Sequence, residues 1–577
     1  MTILVILRFL GIFAVYTGVT LALPALMFRR ILRGRSLAEQ FLMCYTFGNF
    51  YIINIVFLLQ LLHISNFFTL AGLTAVLSIV IGGRVNRIPL KQQAGNTWHL
   101  FGKLLRGRMK LKSAIFLFLG KCAAGIKRLA KFFYRHIVKN PIQSMLLLGI
   151  GVCLCWIYGR QIILVYGYRA SDIPVHMSWI NEMSRGKIFA KGVYPFGFHC
   201  MIYYLHAVFR FDTYVILCQF FFAQVIFMHL VLLAMLKQLC KTKYIPYIGT
   251  FVFLLGNFWS GQTYSRFYAT LPQEFGMIFV IPSIYFLIRF FQISKQKLAD
   301  KETRLTLQCF AMAFSLTLAI HFYGTMIAGL CCIGIACGFC FRFLRKEYFC
   351  RIMFTGICSV FLAVLPMGIA FATGTPLQGS LGWGLSVING GKSSSSTETE
   401  AETDEAETLE VSTGDDKNTV RVVKPDGTVM EIDVSDLPSA QENESGGQTQ
   451  TETTAPAVPK VSFGEKIRKI PGKAKNALSE MSSRILEFII KLDVKNIGYM
   501  ILASFALLLL LGFIFCVFRR TEYGAMLMSM GFCMWIVTIL LCAGVFGLPP
   551  LMDGARCSIY YAVSYTHLRA HETSAHL

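Results

Sequence analysis

Charge is scarce in this chain. Of 577 residues only 15% are Asp, Glu, Lys or Arg, while 55% are hydrophobic and the mean hydropathy is +0.57. A soluble fold cannot cover its surface with so little polar material, so water-soluble enzymes and binding modules are excluded as a class. Nucleotide-handling and metalloprotease signatures are missing too: there is no G-x-x-x-x-G-K-[ST], no G-x-G-x-x-G behind a strand, no H-E-x-x-H and no G-x-S-x-G. This argues against an ATP-driven pump. Acids are scarcest of all once one segment is set aside. Residues 393–458 hold 16 of the 31 Asp and Glu with only three Lys and Arg, leaving 52 basic against 15 acidic residues elsewhere. Such an excess can serve nucleic acid. Here it lies in short segments between apolar runs, which is the positive-inside pattern of a membrane protein, and no nucleic-acid partner is expected. The 18 cysteines fall mostly inside apolar runs. The C-x-x-C of Cys337 and Cys340 sits within one of them, so a small apolar role is read in place of zinc or redox work. Only Cys200 and Cys557 fall in outer segments, and nothing in the sequence supports a disulfide between them.

What the chain has in abundance is apolar runs long enough to cross a bilayer core of about 30 Å, which takes roughly 20 helical residues. Twelve are visible, near 3–28, 41–62, 66–82, 143–166, 213–236, 245–262, 275–291, 305–321, 323–341, 352–372, 498–518 and 524–546. The expected fold is an all-α polytopic helical bundle in a plasma (cell) membrane. With the N-terminus outside, six basic segments fall on one, cytoplasmic side: 29–35, 84–139, 237–243, 294–304, 342–351 and 519–520. The first run lacks a cleavage site and carries Arg29-Arg30 at its inner end, so it reads as a retained span.

Composition divides the chain further. Residues 1–83 form an N-terminal three-span extension, and 84–139 a basic segment lying on the anionic inner leaflet. Residues 140–391 form the transmembrane core. The Ser/Thr/Glu-rich stretch 392–458 is expected to be a disordered acidic outer insert. Within it, 420–434 alternates apolar and polar residues around Pro425-Asp426-Gly427, a hairpin signal. Residues 459–562 add an amphipathic segment and two spans. The end, Val563–Leu577, resembles a translated sequencing adapter; His567 and His571 therefore carry no chemistry, and the native chain is expected to continue past Ala562.

The candidate chemistry lies in the outer loop 167–212, between the fourth and fifth runs. Ser171 or Asp172 suits a helix N-cap with Pro174 in the first turn, and Gly186 suits the stop. Val175, Trp179 and Met183 share one apolar face, extended by Met177 and Ile180, so this helix should lie against the spans. Asp172 and His176 stand four apart on another side. "GVYPFGFH" (192–199) then leads into a second amphipathic helix over 199–209.

In Asp172, the "INEMSRG" of Ile180–Gly186 and the "YPFGFH…IYY" of Tyr194–Tyr204, this loop resembles the first external loop of the GT-C glycosyltransferases. These enzymes use polyprenyl-phosphate sugars; protein O-mannosyltransferases and lipid A aminoarabinose transferases are members. The resemblance covers about 45 residues closely and spans four to twelve only in topology. It implies a GT-C-like core with external juxtamembrane helices, a polyprenyl-phosphate-linked sugar as donor, and Asp172 as catalytic base. Many members carry paired acids here. This chain has Asp172 followed by Ile173-Pro174, which argues against a metal-dependent variant unless Glu274 or Asp553 supplies the second acid. No metal site or fixed cofactor is assigned.

Sugar transfer from a lipid phosphate needs a base at the acceptor and cations at the departing phosphate. Arg266, the one cation in the next outer loop, suits two phosphate oxygens; snorkelling to headgroups is the plainer role. Lys187 and Lys191 could meet phosphate or anchor the loop at the headgroups. His199 and His321 are further substrate-binding candidates, His176 and Glu274 supporting ones. Arg556 resembles late-chain arginines that some family members use near the donor phosphate. The leading expectation is a membrane glycosyltransferase whose partners are membrane lipids, the lipid-linked donor and a glycan, lipid or protein acceptor. The alternatives are a transporter or flippase of lipid-linked sugars, disfavoured by the lack of repeats and midplane charges, and a non-enzymatic scaffold displaying the acidic insert.

Overall fold

The structure is a computed structural model. It describes residues 2–88, 90–106, 138–165, 167–259, 266–294, 298–379, 475–487, 495–519 and 522–546, scattered positions between 112 and 134, and three strands between 410 and 433. The chain forms two compact units, 1–390 with 472–577, and 391–471.

The first unit is helical. Its elements are α1 (Thr2–Met27), α2 (Leu37–Leu61), α3 (Phe67–Asn86), α4 (Leu90–Leu105), α5 (Pro141–Leu164), α6 (Ile173–Ser184), α7 (Gly197–Phe209), α8 (Thr213–Leu239) and α9 (Ile245–Phe258). After these come α10 (Pro272–Ile293), α11 (Lys301–Ile320), α12 (Phe322–Gly338), α13 (Lys346–Ala372), α14 (Asn496–Phe518) and α15 (Glu522–Leu541). Among the described residues ten of these are long and apolar enough to cross a membrane; α9 and α12 are apolar but shorter. The chain is thus a membrane-embedded, multi-pass helical protein. The twelve runs read from the sequence correspond to those ten and these two.

Local chemistry sets the helix starts. The Ser36 hydroxyl accepts from the Glu39 amide at the start of α2, and Asp212 from Val215 at the start of α8. Asn66 and Thr69 form a reciprocal capping box on α3. His321 alone separates α11 from α12: its backbone is extended and its Nδ1 accepts from the Tyr323 amide at 3.2 Å. The tight turn expected around 321–325 is therefore a one-residue break.

Burial orders the bundle. The most apolar stretch of α8 is 89% buried, that of α10 83% and that of α2 72%, against 22% for α3, α5 and α13. The first three are central; the others present apolar faces outward, as lipid-facing helices do. α2 comes from the segment read as an N-terminal extension, yet it packs against α7, α8 and α11 within the same unit. Its crossing with α1 is close enough that a Cβ on Gly48 would clash with the Thr20 carbonyl oxygen. Buried hydrogen bonds from Tyr16 to Tyr45 (2.8 Å) and Asn49 (3.1 Å) tie the same two helices.

Contacts divide the bundle into two ends. At one, Arg35 binds Glu302, Gln238 binds Ser36, Arg351 binds the Leu298 carbonyl and Arg342 reaches Glu522. The Asn86 amide binds the Leu26 and Met27 carbonyls there. These bonds draw together residues in or beside the basic segments 29–35, 84–139, 237–243, 294–304 and 342–351. At the other end Gln60 binds the Met183 carbonyl and His63 the Gly186 carbonyl, joining the α2–α3 turn to the 167–212 loop.

In the second unit β1 (Glu410–Thr413), β2 (Thr419–Val423) and β3 (Val429–Asp433) form an antiparallel sheet in the order β1-β2-β3, with Val423 opposite Val429. The hairpin read over 420–434 is present as β2 and β3. β1 was not anticipated, because Ser/Thr/Glu composition there pointed to disorder. The rest of the acidic insert, most of 107–137, and everything after Phe546, including Asp553, Arg556, Cys557 and the adapter-like tail, lie outside the described residues.

Candidate functional site

α6 forms where the sequence places it, with Pro174 in its first turn and Gly186 just past its end at φ +80°. Trp179, Ile180 and Met183 are buried, so the expected apolar face is the docked one. Asp172 occupies the N-cap position, but its carboxylate makes no capping bond. It is exposed, and accepts a 3.2 Å hydrogen bond from the Ser171 hydroxyl. The cap reading of this side chain is thereby corrected. A carboxylate free of that duty, on a helix fixed by burial, is available to a ligand.

At the first residue of α7, Gly197, nothing larger fits. A Cβ there would stand 2.7 Å from the Ala319 carbonyl oxygen and 2.9 Å from Ile320. This contact brings α7 against the end of α11, next to His321. The preceding strand-like stretch is fixed as well, since the Val193 amide donates to the Pro376 carbonyl at 2.8 Å.

His176 and His199 meet between α6 and α7, with His199 Nε2 3.1 Å from His176 Nδ1. Trp179, Phe196 and Phe198 wall the pair. Burial pushes the His176 pKa from 6.5 down to about 4, with Asp172 opposing, and pushes His199 well below its ordinary value, with His176 adding to the effect. Both rings are neutral at neutral pH, so one nitrogen of the facing pair donates and the other accepts. His199 was expected to touch donor or substrate. It is fully buried, in the packing between α6 and α7. His176 likewise contacts His199 and the surrounding rings.

Arg266, expected to meet phosphate or to snorkel to headgroups, donates from Nε to Glu274 Oε1 at 2.6 Å and from Nη2 to Gln273 Oε1 at 3.1 Å. Glu274, in the first turn of α10, is 2% exposed, and such a buried carboxylate needs its charge matched. The Arg266 side chain remains 26% exposed. Gln273 went unnoticed in the sequence, although an amide beside a buried carboxylate is a natural second acceptor. Arg169 was also missed. Its guanidinium lies 5.0 Å from the Phe221 ring centre and 5.5 Å from that of Tyr268, and it donates to the Gln161 and Val165 carbonyls. It thus joins the Asp172 segment to the Arg266 segment.

Lys187 and Lys191 are exposed on the α6–α7 connection. His321 lies beside Tyr323, with ring centres 5.3 Å apart and the rings tilted by 36°, and caps α12. Asp172, Lys187 and Lys191 thus lie on the 167–212 loop, Arg266 pairs with Glu274 at the start of α10, and His321 lies between α11 and α12. Neither cavity detailed among the described residues is lined by Asp172, Arg266 or His321. No group of three or more His, Cys, Asp or Glu there is placed to hold a metal ion. Comparison with protein-family models, curated proteins and solved structures returns no match.

Proposed function

We propose that the protein is an integral membrane glycosyltransferase that moves a sugar from a polyprenyl phosphate to an acceptor at the external membrane face, with Asp172 as general base. One observation carries the reading: Asp172 is an exposed carboxylate, without a capping bond, at the start of a helix held rigid by its buried face. The resemblance of 172–204 to the first GT-C external loop supplies the donor class.

The acceptor hydroxyl attacks the anomeric carbon, the bond from that carbon to the phosphate oxygen breaks, and Asp172 takes the hydroxyl proton. The phosphate leaves with the electron pair on the polyprenyl carrier. Arg266, partly exposed and oriented by Glu274 and Gln273, offers positive charge to the phosphate oxygens. Lys187 and Lys191 add cationic charge on the same loop.

The test incubates purified full-length protein in liposomes with a panel of polyprenyl-phosphate sugars and candidate acceptors. Release of polyprenyl phosphate with matching acceptor glycosylation is expected. Movement of intact donor between leaflets without bond cleavage would replace the enzyme with a flippase.

A further inference from the structure

The end of the bundle opposite Asp172 carries a built cationic cavity. α2 separates the two ends; its 25 residues span about 37 Å at 1.5 Å per residue. The cavity has a volume of about 570 Å³. Arg30 and Arg35 reach it from the α1–α2 connection, Arg84 and Arg87 from the end of α3, and Lys301 from the start of α11. Two carboxylates, Asp300 and Glu302, also line it, and both are engaged. Asp300 caps α11 by accepting from the Lys301 amide at 2.7 Å. Glu302 is gripped by both terminal nitrogens of Arg35, at 2.6 and 2.5 Å. Five cations against these two carboxylates, with Glu39 also bound to Arg35 at 2.6 Å, leave the cavity with a net charge of two positive units.

The backbone that carries these arginines is fixed. Asn86 donates to the Leu26 and Met27 carbonyls and accepts from the Arg30 amide, locking the end of α3 to the end of α1. Gly82 lies against Met27, where a Cβ would stand 3.4 Å away in ordinary contact. Arg87 ends α3 in the left-handed region at φ +55°, bonded to the Arg84 and Gly83 carbonyls. Glycine is the residue that position favours. An arginine held there at a conformational cost points to a use for its side chain.

We propose that this cavity binds a phosphomonoester or pyrophosphate group. Multivalent oxyanions match several arginine forks at once, whereas a single carboxylate would leave the net charge uncompensated. The volume exceeds that of a bare phosphate and falls in the range of small-molecule sites. Ile31, Val85 and Leu305 line it as well, so the phosphate belongs to a molecule with an apolar or planar body, either a membrane lipid or a soluble phosphate ester. The proposal is independent of the glycosyltransferase reading and stands or falls separately from it.

The test uses full-length protein in neutral detergent at low salt. One arm titrates inorganic pyrophosphate and reads thermal stabilisation. The other offers phosphatidic acid against phosphatidylcholine and reads the bound lipid by native mass spectrometry. Saturable binding in the first arm assigns a soluble ligand, and selective retention in the second a lipid. Removing one arginine–phosphate contact is expected to weaken binding about tenfold, so Arg84→Gln with Arg87→Gln should nearly abolish it. Arg30→Gln, at a separate element, guards against a folding defect in that pair. Arg29→Gln with Arg33→Gln, exposed neighbours outside the lining, should leave binding unchanged. Absence of binding in both arms, or equal loss in the Arg29/Arg33 variant, would overturn the proposal.

Discussion

Acid should loosen the docking of α6 on α7. The perturbation is protonation of the His176–His199 pair. In the fold the His176 pKa stands near 4 against an ordinary 6.5, because burial disfavours the imidazolium more than the Asp172 carboxylate favours it. His199 is displaced in the same direction, by burial and by His176. Between the two His176 values the unfolded loop binds a proton that the folded loop refuses. Stability is therefore complete above the ordinary value and drains away as pH falls towards about 4. Linkage for His176 alone gives a loss of about 2 kcal/mol on going from pH 7.5 to pH 5, or about thirtyfold in the local opening equilibrium. Hydrogen exchange of α6 and α7 amides, corrected for the intrinsic pH dependence, reads this directly. His176→Gln removes one of the two titrating groups and should reduce the dependence, leaving the share that burial of His199 contributes. Equal protection of wild-type α6 at both pH values, or an unchanged acid response in His176→Gln, would refute the reasoning.

Other consequences are sharper in geometry. Gly197→Ala should cost about 1–3 kcal/mol, because its methyl would press on the Ala319 carbonyl oxygen at 2.7 Å; an unchanged melting temperature would mean that α7 and α11 are not in contact there. Arg87→Gly should raise stability by about 1 kcal/mol by relieving the left-handed backbone, while weakening pyrophosphate binding; stabilisation with binding intact would remove Arg87 from the cavity's function. Cysteines introduced at Lys191 and Lys301 should react with a membrane-impermeant maleimide from opposite faces, the first from outside, since these residues stand at opposite ends of the bundle. Labelling of both from one face would break the two-ended arrangement.

Much of the fold was legible because bilayer crossing imposes a length and a composition on each segment. The same rule places basic residues at one end, and the bonds among Arg35, Glu302, Arg342 and Glu522 are where that pattern becomes contact. α6 and its buried face followed from Pro174, Gly186 and the i, i+4 spacing of Val175, Trp179 and Met183. What spacing could not show was pairing across the chain. His176 and His199 lie 23 residues apart with no periodic relation, and each was weighed singly. Arg266 read as solitary because Glu274 and Gln273 lie beyond the intervening turn, on the next helix. Arg30, Arg84 and Arg87 read as a topology signal, and only the packing of α3 on α1 turns them into one wall. The Asp172 cap failed because the residue types that favour an N-cap do not dictate the rotamer that makes the bond.

The central claim is that the Asp172 carboxylate performs the proton transfer. Its most direct test is Asp172→Asn in reconstituted full-length protein, read as glycosylated acceptor formed per enzyme, with thermal stability measured beside it. Asp172 is exposed and caps nothing, so stability should stay within about 0.5 kcal/mol of wild type while transfer is lost. Transfer at the wild-type rate in Asp172→Asn, with the fold intact, would contradict the account.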